Sequence, residues 1–135
     1  MAVVDAGPLI AAANSADPSH RTSVEALART DLRLVIPALI VAEATYAVGL
    51  LLGPRAEAAF LRGLEPFDVE APEPGDWKRI GELVEHYADL RLGGADASAI
   101  VLAERLDARV VITLDRRHFS VVRPAHCEAF ELLPA

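Results

Sequence analysis

The sequence is poor in cysteine and lysine. Cys127 is the only cysteine, so no disulfide can form within the chain, and a reducing cytoplasm is the expected location. Lys78 is the only lysine, and the net charge is −7. A chain this acidic does not coat nucleic acid by bulk electrostatics, although a locally basic groove is compatible with it. The first residues lack the charged and apolar regions of a secretory signal, so none is expected.

Charge is also scarce in residues 34–54, where Glu43 is the only charged side chain. A run of this length could cross a bilayer. An acid near its middle would cost about 2.5 to 3.5 kcal/mol on insertion, however, and Pro37 and Gly49 interrupt the run. We therefore expect a buried helix of a soluble domain and no membrane partner.

What the sequence does contain is two short apolar runs that each lead to an aspartate. Residues 2–4 lead into Asp5, and residues 109–114 lead into Asp115. Continuous β-branched residues are typical of buried parallel strands. Because the carboxyl ends of such strands form the ligand crevice of an open α/β sheet, we expect Asp5 and Asp115 to meet at one rim.

Strand-like and helical segments alternate along the chain, which predicts βαβ units with right-handed crossovers. The expected fold class is α/β, a three-layer α/β/α arrangement whose central, mainly parallel sheet has about four or five strands. The 135 residues suffice for one hydrophobic core, and no long linker divides them. Residues 1–135 are therefore expected to form a single domain.

Two further acids are unusual in their surroundings. An ionised Glu43 within an uncharged helix must be paired, bind a metal or protonate, unless helix rotation brings it to the surface. Asp96 follows two glycines at the start of a predicted helix, where ordinary N-capping is the simpler explanation for it alone. Asp5 could likewise be an N-cap, and Asp115 a turn residue.

Taken together, the four acids favour a metal site. Oxygen ligands from distant segments are how proteins hold a hard cation, and close like charges repel one another without one. Mg²⁺ or Mn²⁺ suits such ligands, and the chemistry implied is metal-assisted attack of water on a phosphodiester. The predicted catalytic and metal-binding residues are Asp5, Glu43, Asp96 and Asp115.

Neighbouring polar residues complete the predicted site. Thr113, in the run 109–114, could hydrogen-bond a carboxylate of the site. An ordinary role as a β-branched strand residue explains its presence equally well. We expect Arg91, Arg116 and Arg117 in loops near the rim, where they could contact phosphates; a solvated surface explains at least some of them. His118 is interpreted as structural.

With these residues assembled, the chain resembles a PIN-domain ribonuclease of the VapC toxin type. The matching stretches are residues 3–11, 41–43, 95–103 and 113–119. The resemblance implies a Mg²⁺- or Mn²⁺-dependent endoribonuclease whose acidic quartet matches Asp5, Glu43, Asp96 and Asp115, with Thr113 where the family usually carries a hydroxyl. It further implies a homodimeric toxin that cuts structured RNA such as tRNA or ribosomal RNA and is neutralised by a cognate antitoxin.

The main alternative is a PIN-like module that binds or assembles partners without catalysis. Such a module has no need for four mutually repelling acids. A haloacid-dehalogenase-type phosphatase would need a second acid where Gly7 stands, and a phospho-receiver domain would need a lysine at a strand end, whereas Lys78 lies in a predicted helix. No glycine-rich nucleotide-binding motif of the P-loop or dinucleotide type occurs.

Overall fold

A sheet of five parallel strands forms the centre of the computed structural model, which describes all 135 residues. The strands are β1 (Ala2–Val4), β2 (Leu34–Pro37), β3 (Asp68–Glu70), β4 (Val110–Ile112) and β5 (Glu131–Leu133). Their order in the sheet is β3-β2-β1-β4-β5, and every neighbouring pair is parallel. With helices flanking this sheet, the predicted three-layer α/β/α fold is confirmed.

Seven α-helices connect and cover the strands. Helices that follow one another along the chain pack together in three pairs, α1 with α2, α3 with α4, and α5 with α6, and one short helix, α7, follows β4. A 3₁₀ turn, Ala88–Leu90, precedes α6. The α-helices are α1 (Ala6–Ala13), α2 (His20–Leu27), α3 (Ala38–Leu52), α4 (Pro54–Arg62), α5 (Asp76–His86), α6 (Gly94–Leu106) and α7 (Arg116–Val121).

Hydrophobic burial explains why β1 and β4 occupy the middle of the sheet. Val3, Val4, Val111 and Ile112 have no solvent exposure. Burying such side chains stabilises the fold by about 1.5 to 3 kcal/mol each relative to leaving them exposed. The edge strand β3 is different, because two of its three residues are exposed.

The pairing of β1 with β4 determines where the strand-end acids lie. Val4 is opposite Ile112, and the backbone N–H of Asp5 donates to the Ile112 carbonyl at 2.9 Å. The two strands therefore end at the same level. Asp5 and residues 113–115 leave the sheet side by side, at the edge where the sequence predicts a crevice.

Helix α3 differs from the expected buried helix. Its residues Ile40, Ala44 and Val48 are fully buried, but Tyr46 and Leu50 are 72% and 75% exposed. A sequence that is apolar on every side suggests burial on every side, whereas the chain itself supplies neighbours for one face only. The helix has 15 residues, and no helix in the structure is both long and apolar enough to span a membrane.

The expectation that Arg116 and Arg117 lie in a loop is wrong, because both belong to the short helix α7. Six residues are too few to show an apolar period of 3.6, and Phe119 alone is buried. Arg91 does lie outside regular structure, in a turn with a positive φ of 57°.

Candidate active site

An open cleft at the carboxyl end of the sheet brings the four predicted acids together. The cleft has a volume of about 680 Å³. Each acid arrives from a different segment: the end of β1, the helix after β2, the start of α6 and the end of β4. The lining residues are Asp5, Ala6, Gly7, Ile10, Glu43, Asp96, Leu114, Asp115, Arg116, Arg117 and His118.

Asp5 is the most buried of the four acids, with 4% of its surface exposed. It occupies the N-cap position of α1, yet its side chain makes no capping hydrogen bond, and Pro8 lacks one of the N–H groups that a cap would use. Oδ2 instead accepts a hydrogen bond from Thr113 Oγ1 at 2.8 Å, while the buried Oδ1 has no donor. Burial raises the pKa of Asp5, and the Thr113 hydrogen bond offsets part of that rise.

Thr113 connects the two strand-end aspartates. Its hydroxyl donates to Asp5 Oδ2 and accepts the backbone N–H of Asp115 at 2.9 Å. A hydroxyl can make both bonds at once, and at 1% exposure this one has no competition from solvent. Thr113 therefore holds the Asp5 carboxylate and the turn at Asp115 in a fixed relation.

Asp96 lies in the first turn of α6 and not at its N-cap, which is Gly93. Its side chain is 19% exposed and points into the cleft instead of capping the helix. Burial, followed by the negative charges of Asp5 and Glu43, raises the pKa of Asp96 to about 7, although His118 acts in the opposite direction. A cation bound in the cleft would therefore compete with a proton at Asp96.

Glu43 reaches the cleft from α3, but the expectation that it is buried is wrong. The residue is exposed, because α3 turns the stripe of Ile40 and Ala44 toward the core and leaves Glu43 at the rim. Partial burial and the charge of Asp5 still raise its pKa. The rise indicates that Glu43 and Asp5 share one electrostatic environment.

Asp115 and His118 form a close pair that the sequence analysis does not anticipate. Asp115 caps α7, because its Oδ1 accepts the backbone N–H of His118 at 3.0 Å. Its Oδ2 lies 2.8 Å from His118 Nδ1, and Asp96 Oδ2 lies 3.3 Å from the same nitrogen. One ligand atom from each of the three residues falls within 4.8 Å of the others, a spacing suited to a shared cation.

The signal that could have revealed His118 is the cap itself. If Asp115 caps a helix, the residue three positions later lies in the first turn and gives its backbone N–H to the cap, which places His118 beside Asp115. Because the sequence does not predict α7, it does not predict that Asp115 and His118 are neighbours.

Two of the three predicted phosphate-binding arginines line the cleft, Arg116 and Arg117, while Arg91 does not. Arg116 donates to the Pro134 carbonyl at 3.2 Å, and both cleft arginines are exposed. They stand at the mouth of the cleft, where a guanidinium can meet a phosphate from solvent.

The residues of the cleft fit a divalent cation. The pKa values of Asp5, Glu43 and Asp96 are all raised, and each is raised in part by another acid of the cleft. The only basic side chain within ion-pair distance of the four acids is His118. A cation would compensate this charge and would also satisfy the buried Asp5 oxygen that lacks a donor.

Comparison with known proteins agrees with this geometry. The family model of the PIN domain matches residues 2–123. Ribonuclease VapC26 of Mycobacterium tuberculosis (strain ATCC 25618 / H37Rv) is 36% identical over 134 residues, which cover 98% of this chain and 99% of that protein.

Solved structures share the fold at lower sequence identity. The Mycobacterium tuberculosis VapC20, described as a sarcin–ricin loop cleaving toxin, superposes with a TM-score of 0.75 at 17% identity over 82% of this chain and 87% of that one. VapBC2 from Rickettsia felis, bound to a DNA fragment from its promoter, gives 0.67 at 20% identity over 98% of both chains. FitAcB from Neisseria gonorrhoeae superposes with a TM-score of 0.60 at 21% identity, over 86% of this chain and 88% of that one.

Proposed function

This chain belongs to the PIN-domain family as a relative of the VapC ribonucleases, and we propose that it is a metal-dependent endoribonuclease, the toxin of a toxin–antitoxin pair. The observation that carries the proposal is the cleft, where four carboxylates from four segments converge and one buried Asp5 oxygen has no donor. The full-length relative named a ribonuclease supports hydrolysis of RNA as the reaction.

In this proposal the residues of the cleft have separate roles. Asp5, Asp96 and Asp115 hold the cation. Glu43 adds a fourth negative charge at the rim of the cleft. Thr113 orients Asp5 through the 2.8 Å hydrogen bond. When bound, a divalent cation supplies charge compensation at the phosphodiester and activation of water.

Mg²⁺ or Mn²⁺ is the cation we propose. Carboxylate oxygens suit both ions, and an open cleft leaves room for water and substrate oxygens as further ligands. The raised pKa of Asp96 implies that the cation competes with a proton, so affinity should rise toward neutral pH.

The substrate we propose is a structured RNA, either tRNA or ribosomal RNA. A net charge of −7 repels a polyanion, so contacts at the site itself must outweigh the overall repulsion. Arg116 and Arg117 at the cleft mouth provide such contacts to phosphates, and Arg91, outside the cleft, would meet only a longer substrate. The neighbour described as cleaving the sarcin–ricin loop supports a folded RNA target.

A cognate antitoxin is the protein partner we propose. Two structural neighbours are the complexes named VapBC2 and FitAcB, which support such a partner. The surface also carries an apolar groove of about 430 Å³, and a protein segment could bury it. The groove is formed by α1, α4, the segment 63–67 and one residue of α2. Among its lining residues are Leu9, Leu27, Phe60, Leu64 and Phe67.

We further propose a homodimer that works in the cytoplasm. The exposed apolar face of α3, with Tyr46, Leu50 and Leu51, would be protected from water by a second copy of the chain. Trp77 on α5, which is 53% exposed, is a second candidate contact. The single free cysteine fits a reducing compartment.

Cleavage of total bacterial RNA by the purified, antitoxin-free protein tests the proposed function. We expect cleavage with Mn²⁺ or Mg²⁺, none in EDTA and none from Asp5→Asn. Asp107→Asn is the matched control, because Asp107 is exposed in a left-handed turn that asparagine also adopts readily. A folded wild-type protein that binds Mn²⁺ but cuts no RNA would favour the alternative of a non-catalytic binding module.

A further inference from the structure

The orientation of the His118 ring is fixed by a contact outside the cleft. Its Nε2 lies 3.0 Å from the carbonyl oxygen of Leu90, in the turn that precedes α6. A carbonyl only accepts hydrogen bonds, so Nε2 carries the hydrogen. The other ring nitrogen, Nδ1, is thereby directed toward the acids of the cleft. This is the arrangement by which proteins orient histidines that bind metals.

The surroundings of Nδ1 are those of a ligand. Asp115 Oδ2 and Asp96 Oδ2 lie 2.8 Å and 3.3 Å away, yet Nδ1 is buried and has no partner in hydrogen-bonding geometry. Asp115 uses its other oxygen, Oδ1, to cap α7, so Oδ2 is the oxygen that faces Nδ1. One ligand atom from each of Asp96, Asp115 and His118 lies within 4.8 Å of the others, so one cation could contact all three residues.

A second, independent feature points to a cation at the same place. Asp5 is 4% exposed, its Oδ1 has no donor, and the Thr113 hydroxyl links its Oδ2 to the backbone N–H of Asp115. A buried oxygen without a donor costs about 1 to 3 kcal/mol unless something else satisfies it. The trio of Asp96, Asp115 and His118 therefore borders an unsatisfied carboxylate.

We propose that His118 is a metal ligand of this chain, binding a divalent cation through Nδ1 together with Asp96 and Asp115. The inference rests on the proposed metal-dependent function and extends it by a nitrogen ligand outside the acidic quartet. Imidazole suits transition metals, whereas Mg²⁺ prefers oxygen ligands only. The site therefore prefers Mn²⁺ to Mg²⁺ in binding.

Electron spin-echo spectroscopy of Mn²⁺ bound to the wild-type protein tests the ligand without any substitution. We expect a nuclear modulation from a directly bound ¹⁴N, replaced by that of ¹⁵N when the protein is made with ¹⁵N-labelled histidine. His118→Gln removes the signal, while His86→Gln, a change at an exposed residue of α5, keeps it. Absence of histidine nitrogen coupling in a wild-type protein that binds Mn²⁺ would overturn the inference.

Titration of Mn²⁺ and Mg²⁺ provides the quantitative counterpart. Changes to groups that only support a ligand lower metal affinity by about 10- to 100-fold, and we expect His118→Gln to lower Mn²⁺ affinity by at least that much and Mg²⁺ affinity by less. An equal loss for both ions would indicate a positioning role and contradict the proposal.

These results separate the inference from the proposed function. RNA cleavage without nitrogen coupling rejects His118 as a ligand and leaves the nuclease in place. Nitrogen coupling without cleavage of any RNA supports the ligand and rejects the nuclease.

Discussion

Two groups of acids lie near the carboxyl ends of parallel strands in this protein, and they differ in their basic partners. At the end of β3, Glu70, Glu73 and Asp76 surround Arg105, with nitrogen–oxygen distances of 3.4, 3.3 and 3.0 Å. At the ends of β1 and β4, the four acids of the cleft have no arginine or lysine within ion-pair distance, and only His118 is near. The first group has a permanently charged basic partner within the chain, whereas the second has none.

This difference distinguishes a candidate cation site from other clusters of acids. A count of carboxylates would not separate the two groups. The presence of a basic partner does, because unpaired acids that lie close together and partly buried are retained at a cost to stability.

The largest expected effect is on RNA cleavage. Asn or Gln at Asp5, Glu43, Asp96 or Asp115 should each lower the cleavage rate by at least about 100-fold, since removing a ligand costs more than removing a group that supports one. Glu73→Gln in the Arg105 group should leave the rate unchanged. Initial rates on one RNA substrate at saturating Mn²⁺ measure both. Equal losses in the two groups would remove the distinction between them.

The second effect is metal-dependent stability. At a free Mn²⁺ concentration 100 times the dissociation constant, the free energy of unfolding of the wild-type protein should rise by about 2.7 kcal/mol. Asp96→Asn should lose most of that rise, yet be more stable than the wild type in EDTA because one repelling charge is gone. Urea unfolding with and without Mn²⁺ provides the comparison. A destabilised Asp96→Asn protein in EDTA would argue against repulsion in the cleft.

The third effect is the pH dependence of stability without metal. The pKa of Asp96 is raised from 3.8 to about 7, so the folded state binds this proton more tightly than the unfolded state. The free energy of unfolding contributed by Asp96 is therefore present at low pH and lost as pH rises from about 4 to 7. Unfolding in EDTA across this range should show a steeper decline for the wild type than for Asp96→Asn. Parallel curves would contradict the assignment.

The fourth effect concerns the Arg105 group. Arg105→Met leaves three acids without their partner, and we expect a loss of about 1 to 2 kcal/mol in the free energy of unfolding, since the group is only partly buried. Arg21→Met, which breaks an ion pair whose arginine is 90% exposed, is the control and should change stability by less than about 0.5 kcal/mol. Mn²⁺ should not restore the stability of either variant.

The smallest effect is expected at Thr113. Thr113→Val removes the donor to Asp5, which should cost about 1 kcal/mol of stability and lower the cleavage rate by about 10-fold. Thr113→Ser keeps the hydroxyl and should retain most of the activity. If Val and Ser behaved alike in cleavage assays, the hydrogen bond to Asp5 would have no role in holding the carboxylate.

The parts of the structure that could be predicted from sequence are those with a local pattern. The β-branched runs of β1 and β4 identify two buried strands, and the acids that follow them are placed by strand parallelism alone. The role of Asp96 is harder to predict, since the two glycines before it suggest that Asp96 is the N-cap of the helix. In the structure Gly93 is the N-cap.

The missed features depend on contacts that are distant in sequence. Glu43 is exposed because one face of α3 finds no neighbour within the chain, which an apolar sequence does not reveal. His118 is oriented by the carbonyl of Leu90, 28 residues away, and lies in a helix too short for any periodic pattern. The helix cap at Asp115 could have placed His118 beside it, but only if the short helix α7 had been recognised in the sequence.

Calorimetric titration of Mn²⁺ into the wild type, Asp115→Asn and Glu73→Gln tests most directly whether the cleft acids bind a cation. We expect saturable binding to the wild type and to Glu73→Gln with the same affinity, and binding that is weakened or lost in Asp115→Asn. Equal binding by all three proteins would show that the cleft acids hold no cation.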